Sequence, residues 1–187
     1  EVDKEVRKVL KDIERLLEEI ERRVRKSIED LKTELKKIED ESEKANRELE
    51  RLLREIKDRV DDEKKLREIE ELVRRLSDEN RRVLDDARRL VKKLIEENAE
   101  ALKKARDDVR KLLEEIKRVL ERIREDDKED VRRELRELVD KVRKDVERVM
   151  KALEDLSRES RREVRRVKEK NRRLVEEVKK RVEDKAK

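Results

Sequence analysis

The side chains available for chemistry are almost all carboxylates, lysines and arginines, because the chain has no His and no Cys. That removes the commonest general base, the thiol nucleophile and most zinc ligand sets. Two runs of three carboxylates stand out, Asp61-Asp62-Glu63 and Glu125-Asp126-Asp127. Oxygen ligands suit calcium, but an EF-hand loop spaces them around an invariant Gly, and this chain has no Gly. Helix capping is a sufficient role for both runs. Asp accepts hydrogen bonds from free N–H groups at a helix start, and negative charge favours its positive end. Asp127 and Asp130 have the N-cap and N3 spacing of a capping box. The serines have no activating base beyond Lys. The expectation is therefore no catalytic residue, no metal and no cofactor.

A second group of polar residues interrupts apolar stripes. Asn80 and Asn98 occupy positions where the stripe through Leu84, Ala87, Val91 and Leu94 calls for Leu or Ile, and the interval between them recurs between Leu84 and Leu102. That interval is five whole turns of an α-helix. Ser27, Ser42, Asn46, Ser77, Ser157, Ser160 and Asn171 interrupt or flank the same kind of stripe elsewhere.

Those stripes define the elements. From Val2 to Val60 the first takes 16 steps across 58 residues, about 3.6 per step, the period of a straight helix and not the 3.5 of a left-handed supercoil. Doubled positions such as Val9-Leu10 and Leu16-Leu17 widen it enough to face more than one neighbour. The phase breaks after Val60 and again after Ile123, and new stripes start at Leu66 and Val131. Three helices over about 2–60, 64–124 and 128–185 follow, with turns near 61–63 and 125–127, each helix about 90 Å long at 1.5 Å per residue.

The polar residues choose between one continuous coiled-coil helix and a folded chain. Folding back at Asp62 and Asp126 sets Asn80 level with positions 44 and 172, among Ser42, Asn46 and Asn171, and Asn98 level with positions 26 and 154, near Ser27 and Ser157. Interruptions of all three stripes at shared heights favour an antiparallel, up-down-up three-helix bundle in a single domain. Two structural polar layers are expected: Ser42, Asn46, Ser77, Asn80 and Asn171 in one, Ser27, Asn98, Ser157 and Ser160 in the other. A polar layer satisfied across helices disfavours slipped registers.

Composition agrees. Of 187 residues 63% are charged and 32% hydrophobic, with no Gly, Pro, Cys, Trp, Tyr or Phe, a balance typical of long helices and coiled coils. No apolar run is long enough for a transmembrane helix or a signal-peptide core, so a soluble chain without a targeting signal is expected. The net charge of +5 is uneven: residues 1–60 carry 18 basic and 19 acidic side chains, 61–127 carry 20 and 21, and 128–187 carry 23 and 16. The surplus lies in the third helix, where Arg158, Arg161, Arg162, Arg165, Arg166, Lys168, Lys170, Arg172 and Arg173 outnumber Glu159, Glu163 and Glu169. A basic face of this kind can hold phosphates through counterion release, which makes weak, sequence-independent nucleic-acid binding the alternative function. The absence of aromatics argues against base stacking.

Equal long helices, the five-turn repeat, charged spacings such as Arg15 to Glu19 and Lys117 to Glu121, turns without Gly, and polar layers in an aliphatic core together resemble computationally designed three-helix bundles. The resemblance spans the whole chain and rests on regularity, not on a motif. Spectrin-like repeats carry aromatics that have no counterpart here, and tropomyosin-like rods keep the 3.5 period. The resemblance implies a thermostable, monomeric scaffold of synthetic origin, without evolved activity or partner.

Overall fold

Three aliphatic stripes separated by two short acidic stretches give three helices. The computed structural model describes residues 2–126 and 128–187, with side chains from Lys4 onward. It contains α1 (Val2–Arg59), α2 (Glu63–Glu125) and α3 (Glu129–Ala186), with no strand among the described residues. The helices pack against each other as an all-α three-helix bundle. Residues group into two compact units, Glu1–Ile28 with Ile95–Glu159, and Glu29–Leu94 with Ser160–Lys187. Each unit contains a stretch of every helix, and each is described separately below.

Helix directions follow from which side chains meet. In the first unit Arg23 bonds Glu154, 131 residues away. In the second, Ser42 bonds Asn171 at a separation of 129 and Glu34 bonds Lys168 at 134. A nearly constant separation means that α1 and α3 run parallel. Partners on α1 and α2 instead grow further apart in sequence away from the turn, from 34 for Asn46 and Asn80 to 49 for Glu39 and Arg88. Between α2 and α3 the separation grows from 12 for Arg122 and Glu134 to 59 for Asn98 and Ser157. Both of those pairs of helices are antiparallel.

The reversals are made without glycine. Among the described residues none has a positive φ, so the left-handed conformation that ends many helices is not used by any of them. At the first reversal the Val60 N–H still donates to the Ile56 carbonyl at 2.9 Å, and the Leu66 N–H opens α2 by donating to the Asp62 carbonyl at 3.0 Å. Asp62 is the N-cap of α2. Its Oδ1 accepts from the Lys64 and Lys65 N–H groups at 3.1 and 3.4 Å. At the second reversal the Arg132 N–H donates to the Lys128 carbonyl at 3.2 Å, while the capping role expected of Asp127 falls outside the described residues. Lys57 and Arg59 close α1, and Arg122 and Arg124 close α2, each pair at the negative end of its helix.

Burial repeats every five turns. On α1 the buried sets include Val6, Val24 and Ser42, then Ile13, Leu31 and Leu49, then Ile20, Ile38 and Ile56. On α2 they include Val73, Val91 and Val109, and on α3 Leu135, Leu153 and Asn171. Within each set every step is five whole turns, after which a straight helix presents the same face. At two doubled positions one residue is favoured: Leu113 and Val139 are buried, while Leu112 and Leu138 of the expected stripe are half-buried beside them; at Val9-Leu10 and Leu16-Leu17 both residues are half-buried.

In the first unit Val6, Ile13, Val109, Ile116, Leu135 and Val142 belong to one cluster, and Ile20, Val24, Leu102, Ala105 and Leu153 to another. In the second unit Leu49, Ile56, Ile69, Leu76, Val178 and Val182 pack together, with Val60 and Leu66 from either side of the first reversal against them. No large hydrophobic side chain is exposed among the described residues. Because Asp62 supplies the side-chain cap of α2, Asp62→Ala is expected to lower stability by about 1 kcal/mol. A guanidinium titration with an unchanged m-value would report the loss.

Candidate functional site

The chemically distinct part of the interior lies in the second unit. Ser42, Asn80 and Asn171 sit on core faces of α1, α2 and α3, where helical spacing would otherwise place aliphatic side chains, and all three are buried. Asn171 is 0% exposed, so its amide depends on the protein for partners. Ser42 Oγ lies 3.4 Å from Asn171 Oδ1 and 3.3 Å from Asn171 Nδ2, a contact in which the hydroxyl can both donate and accept. Asn80 Nδ2 donates to the Ser42 carbonyl at 3.4 Å and to Asn46 Oδ1 at 3.2 Å. Ser42 therefore joins α1 to both other helices, with Asn46 completing the group from a half-buried position one turn later. Turning the Asn80 amide over would set its oxygen against two acceptors. Asn80 Oδ1 has no hydrogen-bond partner, and Ser77 lies half-buried, one turn before Asn80, outside the bonded group.

The first unit has a smaller version. Ser157 Oγ donates to Asn98 Oδ1 at 3.4 Å between α3 and α2, and both residues are buried. Ser27 is buried on α1, at 4% exposure, but its Oγ has no partner among the described residues, so α1 supplies no side-chain hydrogen bond here through Ser27. Ser160 is buried too, and belongs to the second unit.

A row of ion pairs flanks the polar group, and sequence reasoning missed it. Glu34, Glu41 and Glu48 recur every seven residues on α1 and meet Lys168, Arg172 and Lys179 of α3. The Lys168 to Glu34 bond is 3.0 Å, with side-chain exposures of 17% and 29%. Arg172 directs Nε and Nη2 to the single oxygen Glu41 Oε1, both at 3.2 Å. Hydrogen bonding by Lys168 holds the Glu34 carboxyl below its ordinary value of 4.5, against the opposing effect of burial. Lys179 does the same for Glu48. In the first unit the seam between α1 and α3 carries the opposite arrangement: Arg23 on α1 bonds Glu154 on α3 at 2.7 Å. Arg106 of α2 pairs with Glu21 of α1, and both are largely covered.

Beside this row runs an open groove of about 260 Å³, lined by Ala45, Val175 and the paired Glu41, Arg172, Glu48 and Lys179. Four of its wall charges are already engaged with each other, and Lys44 and Glu176 complete the lining. Among the described residues no group of three or more His, Cys, Asp or Glu side chains is placed to hold a metal ion. No described helix is long and apolar enough to cross a membrane.

No family model, curated protein or solved structure matches this chain.

What the site can do chemically is fix positions. Bonds of 3.2 to 3.4 Å lie at or beyond the long end of the ordinary range, so each adds little to stability. Leaving such a group buried and unbonded costs about 1–3 kcal/mol. The arrangement therefore acts mainly by penalising its own disruption.

Two expectations follow for the flanks. Ser27→Ala removes a buried hydroxyl that has no partner, so stability should hold or rise by up to about 1 kcal/mol, and a fall of that size in a urea titration would contradict the assignment. Because Glu34 is held below its ordinary value, the stability contributed by its pair with Lys168 is present above pH 4.5 and is lost as pH falls through the folded-state value. Glu34→Gln should therefore lower stability at pH 7 by up to about 1 kcal/mol, with a smaller further loss on acidification than the parent. Guanidinium midpoints on both sides of pH 4.5 test this.

Proposed function

We propose that the chain is a structural scaffold of designed type, whose task is to hold three long helices in one register, with no evolved catalytic activity. The observation that carries this reading is the bonded group of Ser42, Asn46, Asn80 and Asn171, which joins all three helices inside an otherwise aliphatic interior.

A seven-residue slip of α3 along α1 in the second unit shows why the group matters. Many buried apolar positions recur at seven-residue intervals, such as Leu31 and Ile38 or Leu49 and Ile56, so aliphatic packing discriminates weakly against the slip. The ion pairs discriminate weakly too, since Glu34, Glu41 and Glu48 share that interval. The polar group does not tolerate it. Asn171 would come level with Leu35 or Leu49, and Ser42 with Val164 or Val178. At about 1–3 kcal/mol for each stranded group, two or three such groups separate the correct register from its nearest competitor. The recurrence of burial every five turns supports the same reading, because it reflects helix geometry repeated uniformly.

A scaffold that buries its own stripes should be a monomer of 23.0 kDa, and a stable dimer in light scattering coupled to sizing would sink the proposal. The register role has its own test. Spin labels at Arg47 and Glu177 should give one narrow distance distribution in the parent. Asn80→Leu/Asn171→Leu should match or exceed the parent's resistance to denaturant yet add a second distance, displaced along the helix by about 10 Å for seven residues. A single unchanged distance in that variant would remove the register role.

A further inference from the structure

We infer that the outward face of α3 in the second unit binds the phosphodiester backbone of duplex nucleic acid without regard to base sequence. Residues 160–173 carry eight basic and two acidic side chains. Two of the basic ones are already engaged, Lys168 by Glu34 and Arg172 by Glu41. Arg162, Arg165, Arg166, Lys170 and Arg173 are exposed, and none of them makes an ion pair among the described residues.

Helical spacing gathers four of these residues. Arg165, Arg166 and Arg173 follow Arg162 by 3, 4 and 11 residues, which places them on one broad face over about 16 Å of axis. Arg162 repels Arg165 and Arg166 at the spacings where side chains on a helix meet. The acidic side chains on this stretch offset only part of that: Glu169 lies four residues from both Arg165 and Arg173, and Glu163 lies three from Arg166. On α1, Glu34 and Glu41 are already committed to Lys168 and Arg172. An external anion relieves the remaining repulsion.

The chemistry selects phosphate. Guanidinium groups stay charged at any working pH and match the paired oxygens of a phosphate with two parallel donors. A duplex offers one negative charge per about 1.7 Å of axis, so about 16 Å of arginines faces an excess of partners. The chain has no aromatic side chain, which withholds the stacking that holds single strands and predicts a preference for duplex. An acidic peptide fits less well, because among the described residues no large hydrophobic side chain is exposed to anchor it.

The test is fluorescence anisotropy of the full chain with a labelled duplex of mixed sequence. Micromolar binding is expected at 50 mM salt, weakening about a hundredfold at 200 mM if roughly four phosphates are neutralised. Arg165→Glu/Arg166→Glu should weaken binding at least about tenfold, and the milder Arg162→Gln/Arg173→Gln should act in the same direction. Arg47→Glu/Arg51→Glu reverses equal charge on exposed α1 positions of the same unit and should change binding less than about threefold. Circular dichroism verifies that each variant remains helical. The inference is overturned by an absence of binding up to about 10 µM at 50 mM salt, by equal weakening in the α1 and α3 variants, or by polyglutamate competing as well as duplex at equal charge.

Discussion

A straight α-helix presents the same face again after five whole turns, and this interior is organised on that interval. Side chains that must face inward cannot drift around the helix over a length such as the 58 residues of α1. The chain meets this constraint by letting rows of buried residues hand over to one another. Val6, Ile13 and Ile20 form one row on α1; Val24, Leu31 and Ile38 take over from it; and Ser42, Leu49 and Ile56 follow. Each row runs in steps of seven and lags the helix by about 20° per step, so a new row is needed after a few steps. Without aromatic side chains to fill irregular gaps, the core is built from Leu, Ile, Val and Ala, and regular backbone geometry carries the packing.

Regularity of that kind makes polar residues informative. An aliphatic surface is slippery, because burial is rewarded in proportion to area with little dependence on which methyl group meets which. A hydroxyl and an amide have directions and a fixed reach. The contact of Ser42 with Asn171 and the bonds from Asn80 to Ser42 and Asn46 are too long to add much stability, yet their partners are costly to strand. In the first unit the same idea is only partly carried out, since Asn98 bonds Ser157 while Ser27 Oγ stays unpartnered.

The all-α bundle was legible in the sequence because apolar spacing reports helical phase directly, and phase is lost only at the acidic stretches after Val60 and Ile123. Levels were legible too: counting back from the turns sets Asn80 beside position 44, and the structure bonds it to Ser42 and Asn46, on either side of that level. Hydrogen bonding at the scale of ångströms was not legible. By the five-turn repeat Ser42 takes the place of Val24 and Ser27 that of Ala45, so both lie on inward faces of α1, and only side-chain geometry separates the one that bonds from the one that does not. Nor was the row of Glu34, Glu41 and Glu48 apparent. Charged residues fill nearly every position outside the stripes, so a meaningful interval of seven is hidden among many without partners.

The opposite ion pairs on the seam between α1 and α3 acquire a meaning from the repeat itself. A pattern that recurs every five turns is, to its apolar side chains, indistinguishable from itself displaced by that interval. Arg23 and Glu41 stand at the same interval, and so do their partners, Glu154 and Arg172. Displacement in one direction would bring Glu154 beside Glu41, and in the other Arg172 beside Arg23. At that contact like charges would meet although the aliphatic rows had found a false match. The seam thus carries an address written in sign, which distinguishes two stretches of helix that the hydrophobic core reads as the same.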